Sequence, residues 1–447
     1  MLNVTDTIFA LCTPPGKSGV AMVRVSGPQA FTTLAMLGVD PLPVPRMAAL
    51  AKLESGAEVL DEALVLRFVA PHSFSGEDCV EYHTHGSRAV VKRLLEALSA
   101  MPNLRPAEPG EFTRRAFNNG KMDLTAAEGL ADLIDAETEA QRRQAVRFMQ
   151  GEAARFYGVL RMQMLEALAL TEAYIDFPDE EIPESVLAQT DKTMALVAQQ
   201  IEGQLADKGA SERIRDGIQV AILGPTNAGK SSLMNMLANR DVAIVSDIAG
   251  TTRDVIEVHL DIGGYAVIVA DTAGLRESQD AVEAEGMRRS VARAKEADIR
   301  ILVLDAVTFA EQIEDKAIGE LIDFNAILLI NKTDLIEGKS LPSVKGLTPL
   351  PFSALRQTGM DEFMAQLETR IAALSATPAS YIACSRHRHY LTQALAHIMR
   401  YRELAGAGLE LRCEELRRAS VEIGKITGVI GADEVLGVVF SRFCIGK

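Results

Sequence analysis

The segment 224–232, GPTNAGKSS, constrains the fold more than any other part of this 447-residue chain. It matches G-x-x-x-x-G-K-S, follows the apolar run DGIQVAILG and precedes the helical pattern SLMNMLAN. A strand that ends in such a loop and continues as a helix offers backbone N–H groups to a phosphate. A glycine-rich strand–helix turn without a ligand gives the same short match, so this segment alone leaves both interpretations open.

Three further motifs follow in order, each near the end of an apolar, strand-like run: DTAG, NKTD and SAL. In DTAG, Asp271 can hold Mg²⁺ through water and the Gly274 amide can contact a γ-phosphate. In NKTD, the Asp334 carboxylate can accept two hydrogen bonds from guanine, which adenine cannot reciprocate, while Asn331 and Lys332 support the base. Four weak motifs in this order, each at a strand end, predict GTP binding.

The predicted GTP contacts comprise the phosphate loop, the loop VSDIAGTTRD and the ends of three later strands. Lys230 would bridge the outer phosphates, and Ser231 and the switch residue Thr252 would coordinate Mg²⁺. The Ala354 amide would meet the guanine oxygen. The full predicted set is Gly224, Asn227, Ala228, Gly229, Lys230, Ser231, Ser232, Ser246, Asp247, Ile248, Ala249, Gly250, Thr251, Thr252, Asp271, Thr272, Ala273, Gly274, Asn331, Lys332, Thr333, Asp334, Ser353, Ala354 and Leu355.

The residue after DTAG departs from the Ras-like pattern, in which a glutamine orients the attacking water. Here it is Leu275, which cannot polarise water, so another group and another positive charge must serve catalysis. Asn227 in the phosphate loop could bind a monovalent cation beside the phosphates. Glu283 could orient water, although its spacing alone favours an ordinary exposed helix carboxylate.

The order of apolar runs predicts a multidomain α/β protein. Around the phosphate loop, short apolar runs alternate with helical patterns, which predicts a parallel sheet with crossover helices, as in a Ras-like domain. The part before it reads as α+β and then helical, and the part after it is helical again. We therefore predict an α+β domain at 1–120, a helical domain at 121–215 and 377–447, and a GTPase domain inserted at 216–376.

Composition limits the class of protein and its compartment. The net charge of −15 argues against a non-specific nucleic-acid binder, which is normally basic. The amino-terminal stretch does not have the pattern of a signal peptide, and the apolar runs are too short to span a bilayer. We expect a cytoplasmic protein without membrane contacts. The five cysteines are too scattered for a disulfide framework: Cys12, Cys79, Cys384, Cys413 and Cys444.

Several stretches resemble the signatures of the tRNA-modifying GTPase family called MnmE or TrmE, in the same order along the whole chain: TPPGKSGVAMVRVSG, SFSGEDCVEYHTHGS, GEFTRRAFNNGKMDLTAAEGLADLI, IAGTTRD and the terminal FCIGK. The resemblance implies an N-terminal folate-binding and dimerisation domain. It also implies a heterotetramer with the FAD-dependent protein MnmG (GidA). The pair would add an aminomethyl or carboxymethylaminomethyl group to carbon 5 of the wobble uridine of certain tRNAs.

The resemblance also implies roles for individual residues and three cofactors: Mg²⁺, K⁺ and a tetrahydrofolate derivative, either 5-formyl- or methylene-tetrahydrofolate. The Mg²⁺ ligands would be Ser231 and Thr252. Glu283 would orient the water, and Lys230 would act with it in catalysis. The K⁺ ligands would be Asn227, Ser246, Ile248 and Thr251, and the folate contacts would be Arg24, Glu81, Lys121 and Lys447.

The terminal FCIGK admits three interpretations: a prenylation signal, a frayed tail or part of a reaction centre. Gly446 and Lys447 fit a prenylation box badly, and the resemblance implies a tail returned to the folate site with Cys444 beside the one-carbon unit. Cys444 would act as a nucleophile there only with a lowered pKa.

Three rival interpretations stay open at this stage. The chain could be a GTPase switch in ribosome assembly, or a stand-alone folate-dependent aminomethyltransferase. Strand periodicity puts Glu81, His83 and His85 on one face, which with His72 or Cys79 could also form a metal site.

Overall fold

A computed structural model of the chain describes residues 6–176, 184–240, 257–271, 297–336, 341–375, 380–406, 408–430, 437, 439–441, 443, 445 and 446. The chain divides into two compact units. The first comprises Met1–Ala131, Arg147–Met194 and Ala396–Lys447, and the second comprises Asp132–Val146 and Ala195–Leu395. The division into folate, helical and GTPase domains at the boundaries given above stays a prediction.

A six-stranded mixed sheet forms the core of the amino-terminal part of the first unit. Its order is β3-β4-β5-β2-β1-β6, and its pairs are antiparallel except for β1 with β6. Helix α2 covers one face of this sheet, where alternate side chains of the central strands are buried. The strands are β1 Thr7–Leu11, β2 Ser18–Ser26, β3 Ala49–Ser55, β4 Glu58–Phe68, β5 Cys79–Gly86 and β6 Leu104–Pro106, and α2 is Arg88–Ser99.

The second unit contains a six-stranded sheet of order β12-β11-β10-β7-β9-β8. All of its pairs are parallel except β8 with β9. Because β7, β10 and β11 are almost wholly buried apolar runs, the sheet is covered on both faces, as parallel sheets usually are. The strands are β7 Ile218–Leu223, β8 Glu257–Ile262, β9 Tyr265–Asp271, β10 Ile299–Asp305, β11 Ala326–Asn331 and β12 Leu350–Pro351.

Helices make up most of the remaining described chain. In the first unit, the helix Glu152–Asp176 (α6) packs along the helix Leu409–Thr427 (α14). The other described helices are α1 Thr32–Met36, α3 Glu111–Asn118, α4 Leu124–Ile134, α5 Glu139–Met149, α6 Glu152–Asp176, α7 Glu184–Leu205, α8 Ala210–Asp216, α9 Lys230–Ala238, α10 Phe309–Glu314, α11 Lys316–Leu321, α12 Met360–Ser375, α13 Ser385–Glu403 and α14 Leu409–Thr427.

Helices are present before and after the second sheet along the chain, as the sequence predicted, but large apolar side chains do not by themselves mark the buried faces of these helices. In α6, Leu168 is buried while Leu165 is 37% exposed, and Tyr157 and Met164 are fully buried. In α13, the buried face includes Ala394, and Leu395 is only half-buried. Small residues allow close helix packing, which a search for large apolar side chains overlooks.

The predicted fold class, a multidomain α/β protein, is confirmed. A mixed amino-terminal sheet, helical segments and a largely parallel sheet with flanking helices are all present. Among the helices that the structure describes, none combines the length and hydropathy needed to cross a membrane.

Candidate functional site

The phosphate-loop sequence forms the turn between β7 and α9. Gly229 takes a left-handed conformation (φ 104°), and its carbonyl accepts the first helical hydrogen bond, from the Leu233 amide at 3.0 Å. Lys230 is buried, and its Nζ donates to the carbonyl oxygens of Gly224 and Pro225 at 2.8 Å each. The ammonium group and the amino end of α9 thus place positive charge at the same loop, which favours an anion.

Neighbouring atoms leave no room for a side chain at either glycine of the phosphate loop. A Cβ at Gly224 would lie 2.0 Å from the carbonyl oxygen of Val303 in β10. A Cβ at Gly229 would lie 2.0 Å from Nδ2 of Asn331 at the end of β11. The loop is therefore packed against the two neighbouring strands at their carboxyl ends, and any side chain would push it away from them.

Asn331 connects the phosphate loop to the segment SAL. Its Nδ2 donates to the Ala228 carbonyl at 2.8 Å, and its Oδ1 accepts from the Ala354 amide at 3.0 Å. The side chain is 3% exposed, so both bonds are shielded from water. A single buried amide thereby holds the predicted phosphate site and the predicted base site at a fixed separation.

The predicted base-reading residues lie together after β11. Ser353 is buried, and its Oγ donates to Oδ1 of Asp334 at 2.5 Å, which orients that carboxylate. Lys332 (φ 62°) extends its Nζ to within 2.6 Å of Oδ2 of Asp305. Sequence reasoning did not single out Asp305, although it ends β10 directly opposite Asn331 in the parallel register.

The remaining described residues of the predicted set lie around the same edge of the sheet. Asn227 is exposed with φ 62°, and Ser231 and Ser232 are exposed on the first turn of α9. Asp271 ends β9 and pairs in register with Ile222 of β7. Thr333 donates its hydroxyl to the Phe352 carbonyl at 2.9 Å, and Leu355 is 85% exposed.

Part of the predicted set lies outside the described residues. These residues are Ser246, Asp247, Ile248, Ala249, Gly250, Thr251, Thr252, Thr272, Ala273, Gly274, Leu275, Glu283, Cys444 and Lys447. Their roles stay predictions, as does the ligand assignment of every residue in the set.

A second cluster lies on the face of the amino-terminal sheet opposite α2. Arg24 of β2 and Glu81 of β5 are register partners, and Nε and Nη2 of the arginine donate to Oε1 of Glu81 at 3.1 and 2.9 Å. The guanidinium also lies 4.8 Å from the centre of the Phe74 ring. Burial opposes the charged form, but the neighbouring groups, first the Cys12 thiol and then Glu81, raise the pKa of Arg24.

Lys121 and the carboxyl-terminal tail contact other parts of the first unit. Lys121 is exposed, and its Nζ donates to the Pro71 carbonyl at 2.9 Å. The Gly446 carbonyl accepts a hydrogen bond from the thiol of Cys12 at 2.9 Å, and a Cβ at Gly446 would lie 2.3 Å from the Leu11 carbonyl. The described end of the tail is thus docked on β1, the strand paired with the strand that carries Arg24.

The alternative metal site finds little support in this cluster. Glu81, His83 and His85 do share one face, but His83 faces Glu81 at 3.4 Å while His85 pairs with Asp61 at 2.8 Å. Burial raises the pKa of the Cys79 thiol to about 12. A thiolate is the form of cysteine that binds a metal, and this burial disfavours the thiolate.

The fold and the first site define a P-loop nucleotide-binding protein of the GTPase class. Two family models match the chain: the GTP-binding protein TrmE N-terminus over residues 7–121, and the MnmE helical domain over residues 124–444. The chain therefore belongs to the MnmE (TrmE) family, and the resemblance seen in the sequence is confirmed.

Individual relatives support this membership over the full length. The chain is 47% identical over 449 residues to the tRNA modification GTPase MnmE of Paramagnetospirillum magneticum, covering 99% of this chain and 100% of the relative. It is 48% identical over 459 residues to that of Rhodospirillum rubrum, with 99% of each covered. Among solved structures, the G domain of the T. maritima FeoB iron transporter is similar over 35% of this chain and 98% of its own, with 23% identity and a TM-score of 0.28.

Proposed function

We propose that this chain is a potassium-activated GTPase whose hydrolysis of GTP drives modification of the wobble uridine of tRNA. Membership of a family of tRNA modification GTPases makes it a GTP hydrolase that acts in tRNA modification. The observation that carries the guanine-nucleotide site is the buried amide of Asn331, which connects the phosphate loop to the segment after Phe352.

The described residues fit GTP and Mg²⁺. Lys230 already lies in the loop with its ammonium group held by carbonyls, so a phosphate can take over those donors without a long movement of the side chain. Ser231 is exposed at the start of α9 and Asp271 ends the neighbouring strand β9, which suits a cation bound beside the phosphates. Asp334, oriented by Ser353, would accept the guanine donors.

Catalysis would use a cation and a carboxylate in place of a glutamine. Asn227 is exposed in the phosphate loop, with its backbone in a left-handed conformation. We propose that it binds K⁺ together with Ser246, Ile248 and Thr251, and that Glu283 orients the water. A K⁺ ion held there would supply positive charge beside the phosphates, which stabilises the transition state.

The Arg24–Glu81 cluster fits a reduced folate. A pterin ring presents N–H donors that the Glu81 carboxylate can accept, and the acidic tail of a folate suits a cation such as Lys121 or Lys447. The docking of Gly446 on Cys12 supports a tail that ends near this cluster. A 5-formyl- or methylene-tetrahydrofolate would supply the one-carbon unit, and Cys444 would lie close to it.

Four further statements complete the proposal. The chain forms a homodimer, assembles with the FAD-dependent protein MnmG, acts on tRNA and works in the cytoplasm. Its acidic balance of −15 means that tRNA would be bound through local basic surfaces or through the partner. A ribosome-assembly switch is less well supported, because it gives no use for the amino-terminal sheet or the docked tail.

Reconstitution tests the proposal. Purified protein, the FAD-dependent partner with NADH, a tetrahydrofolate donor, ammonium or glycine as the nitrogen source, GTP, Mg²⁺, K⁺ and unmodified tRNA are combined. Wobble nucleosides are then measured by mass spectrometry. We expect modification only in the complete mixture. Modification without the flavoprotein would favour a stand-alone aminomethyltransferase. Modification without GTP would show that the reaction on tRNA does not require GTP hydrolysis.

A further inference from the structure

The loop 71–78, between β4 and β5, contacts two of the residues proposed to bind folate. Its first residue, Pro71, accepts a hydrogen bond from Nζ of Lys121 at 2.9 Å. Its fourth residue, Phe74, faces the guanidinium of Arg24, with 4.8 Å between the guanidinium carbon and the ring centre. One loop thereby links cations that come from separate parts of the chain.

Hydrogen bonds to side chains of β2 and of α3 with its last turn hold the part of this loop that follows Phe74. The Ser75 hydroxyl lies 2.6 Å from that of Ser26, and its carbonyl accepts from Nδ2 of Asn119 at 2.8 Å. The Glu77 carboxylate accepts from Ser26 at 2.7 Å and from Arg115 at 3.2 Å. Ser75 and Glu77 directly follow Phe74 in the chain. Their hydrogen bonds fix the loop backbone beside Phe74, which adds to the contacts that the ring itself makes.

A second aromatic ring further restricts the position of the Arg24 guanidinium. Phe112 in α3 is fully buried, and its ring centre lies 5.6 Å from the guanidinium carbon of Arg24. Attraction between a cation and an aromatic face is stronger where water is excluded, and the Arg24 side chain is only 13% exposed. The rings therefore restrict where the guanidinium can lie while it donates to Glu81.

We propose that Phe74 is a positioning residue that sets the Arg24–Glu81 pair for folate binding, an inference that rests on the proposed folate function of this cluster. Arg24 uses two donors on one oxygen, Oε1 of Glu81. The other oxygen faces His83 at 3.4 Å, a long contact that a ligand donor can replace. By fixing the guanidinium on Oε1, Phe74 keeps Oε2 turned toward a bound pterin.

The test compares variants of the full chain by calorimetric binding of 5-formyl-tetrahydrofolate. Phe74→Leu keeps apolar volume and removes the ring, and Phe74→Tyr keeps the ring. We expect about tenfold weaker binding for the leucine variant, equivalent to about 1.4 kcal/mol, and binding within about twofold of wild type for the tyrosine variant. Phe31→Leu is the matched control, because it removes a similar contact, with Arg67 at 5.1 Å, elsewhere in the same domain.

A double-mutant cycle separates positioning from general packing. In an Arg24→Gln background, Phe74→Leu should weaken binding by less than about twofold, because the group that it positions is already gone. The proposal is overturned if Phe74→Leu binds as wild type does, or if its effect is unchanged in the Arg24→Gln background. If the wild-type protein does not bind the folate, the proposed folate function itself fails, an outcome distinct from both.

Discussion

The side-chain amide of Asn331 donates a hydrogen bond to the carbonyl of Ala228 across 2.8 Å, at the point where β11 ends and the phosphate loop turns into α9. The same side chain accepts from the Ala354 amide. The predicted phosphate site and the predicted base site lie on either side of this side chain, so its loss should affect both ends of a bound nucleotide together.

Replacing Asn331 by alanine should weaken guanine-nucleotide binding. The change leaves the Ala228 carbonyl and the Ala354 amide without their partner in a buried setting. We expect the free energy of nucleotide binding to become less favourable by about 2–4 kcal/mol for the two groups together. Fluorescent GDP titration measures the dissociation constant. The control, Asn235→Ala, removes an exposed amide from α9 and should bind as wild type does; equal affinity in both variants would contradict the bridging role.

Replacing Asp334 by asparagine should change the base preference of the nucleotide site from guanine to xanthine. The new amide keeps an oxygen that can accept from Ser353 but donates where the carboxylate accepted, and xanthine offers a matching carbonyl. We expect GTP binding to fall by about 2–4 kcal/mol, and xanthosine triphosphate to bind better than it does to wild type. Asp361→Asn, at a side chain 93% exposed, serves as the control. Unchanged GTP affinity would show that Asp334 does not read the base.

Sequence patterns were sufficient for the most apolar strands of the second unit and for the order of the motifs, but not for shorter or more polar strands such as β8 and β12. Runs such as AILLIN are apolar throughout because they lie inside a sheet covered on both faces, and Glu81, His83 and His85 alternate as a half-buried strand requires. The arrangement between elements was not predictable in this way. The pairing of Arg24 with Glu81 depends on strand register, and the contact of Phe74 with Arg24 depends on a loop anchored by Ser26 and Arg115.

Hydrolysis of GTP should require K⁺ and be slow in Na⁺. Leu275 cannot polarise water, and Asn227 is exposed in the phosphate loop, where the proposal places a K⁺ ion that supplies positive charge. Phosphate release is measured at equal ionic strength in KCl and NaCl. The Asn227→Ala variant should release phosphate at the same rate in both salts. Equal rates for the wild-type protein in KCl and NaCl would contradict the cation mechanism.

The packing of α3 in the first unit should lose stability in acid as Glu111 becomes protonated. Burial alone would raise its pKa, but donors from Arg105, the Glu108 amide and Arg115 lower the pKa to about 2. A lowered folded-state pKa means that the stabilisation is complete above about pH 4.5, the ordinary value, and is lost as the pH falls toward 2. Glu111→Gln should therefore destabilise the protein at pH 7 by about 3 kcal/mol and flatten its acid dependence.

Urea titrations at pH 7 and pH 3, read by hydrogen exchange of α3 peptides, measure this effect. Glu58→Gln, which removes an exposed partner of Arg93, is the control and should change stability by less than about 1 kcal/mol. A Glu111→Gln variant with the wild-type acid profile would show that the carboxylate does not carry the pH dependence.

Mass spectrometry of wobble uridines is the most direct measurement of the central claim, that GTP hydrolysis by this chain serves tRNA modification. tRNA is isolated from three strains: one that lacks the gene, the same strain complemented with the wild-type chain, and the same strain complemented with the Lys230→Ala variant. We expect the aminomethyl or carboxymethylaminomethyl group at carbon 5 to disappear on deletion, to return with the wild-type chain and to stay absent with the variant. Full modification in the deletion strain, or equal rescue by Lys230→Ala, would contradict the account.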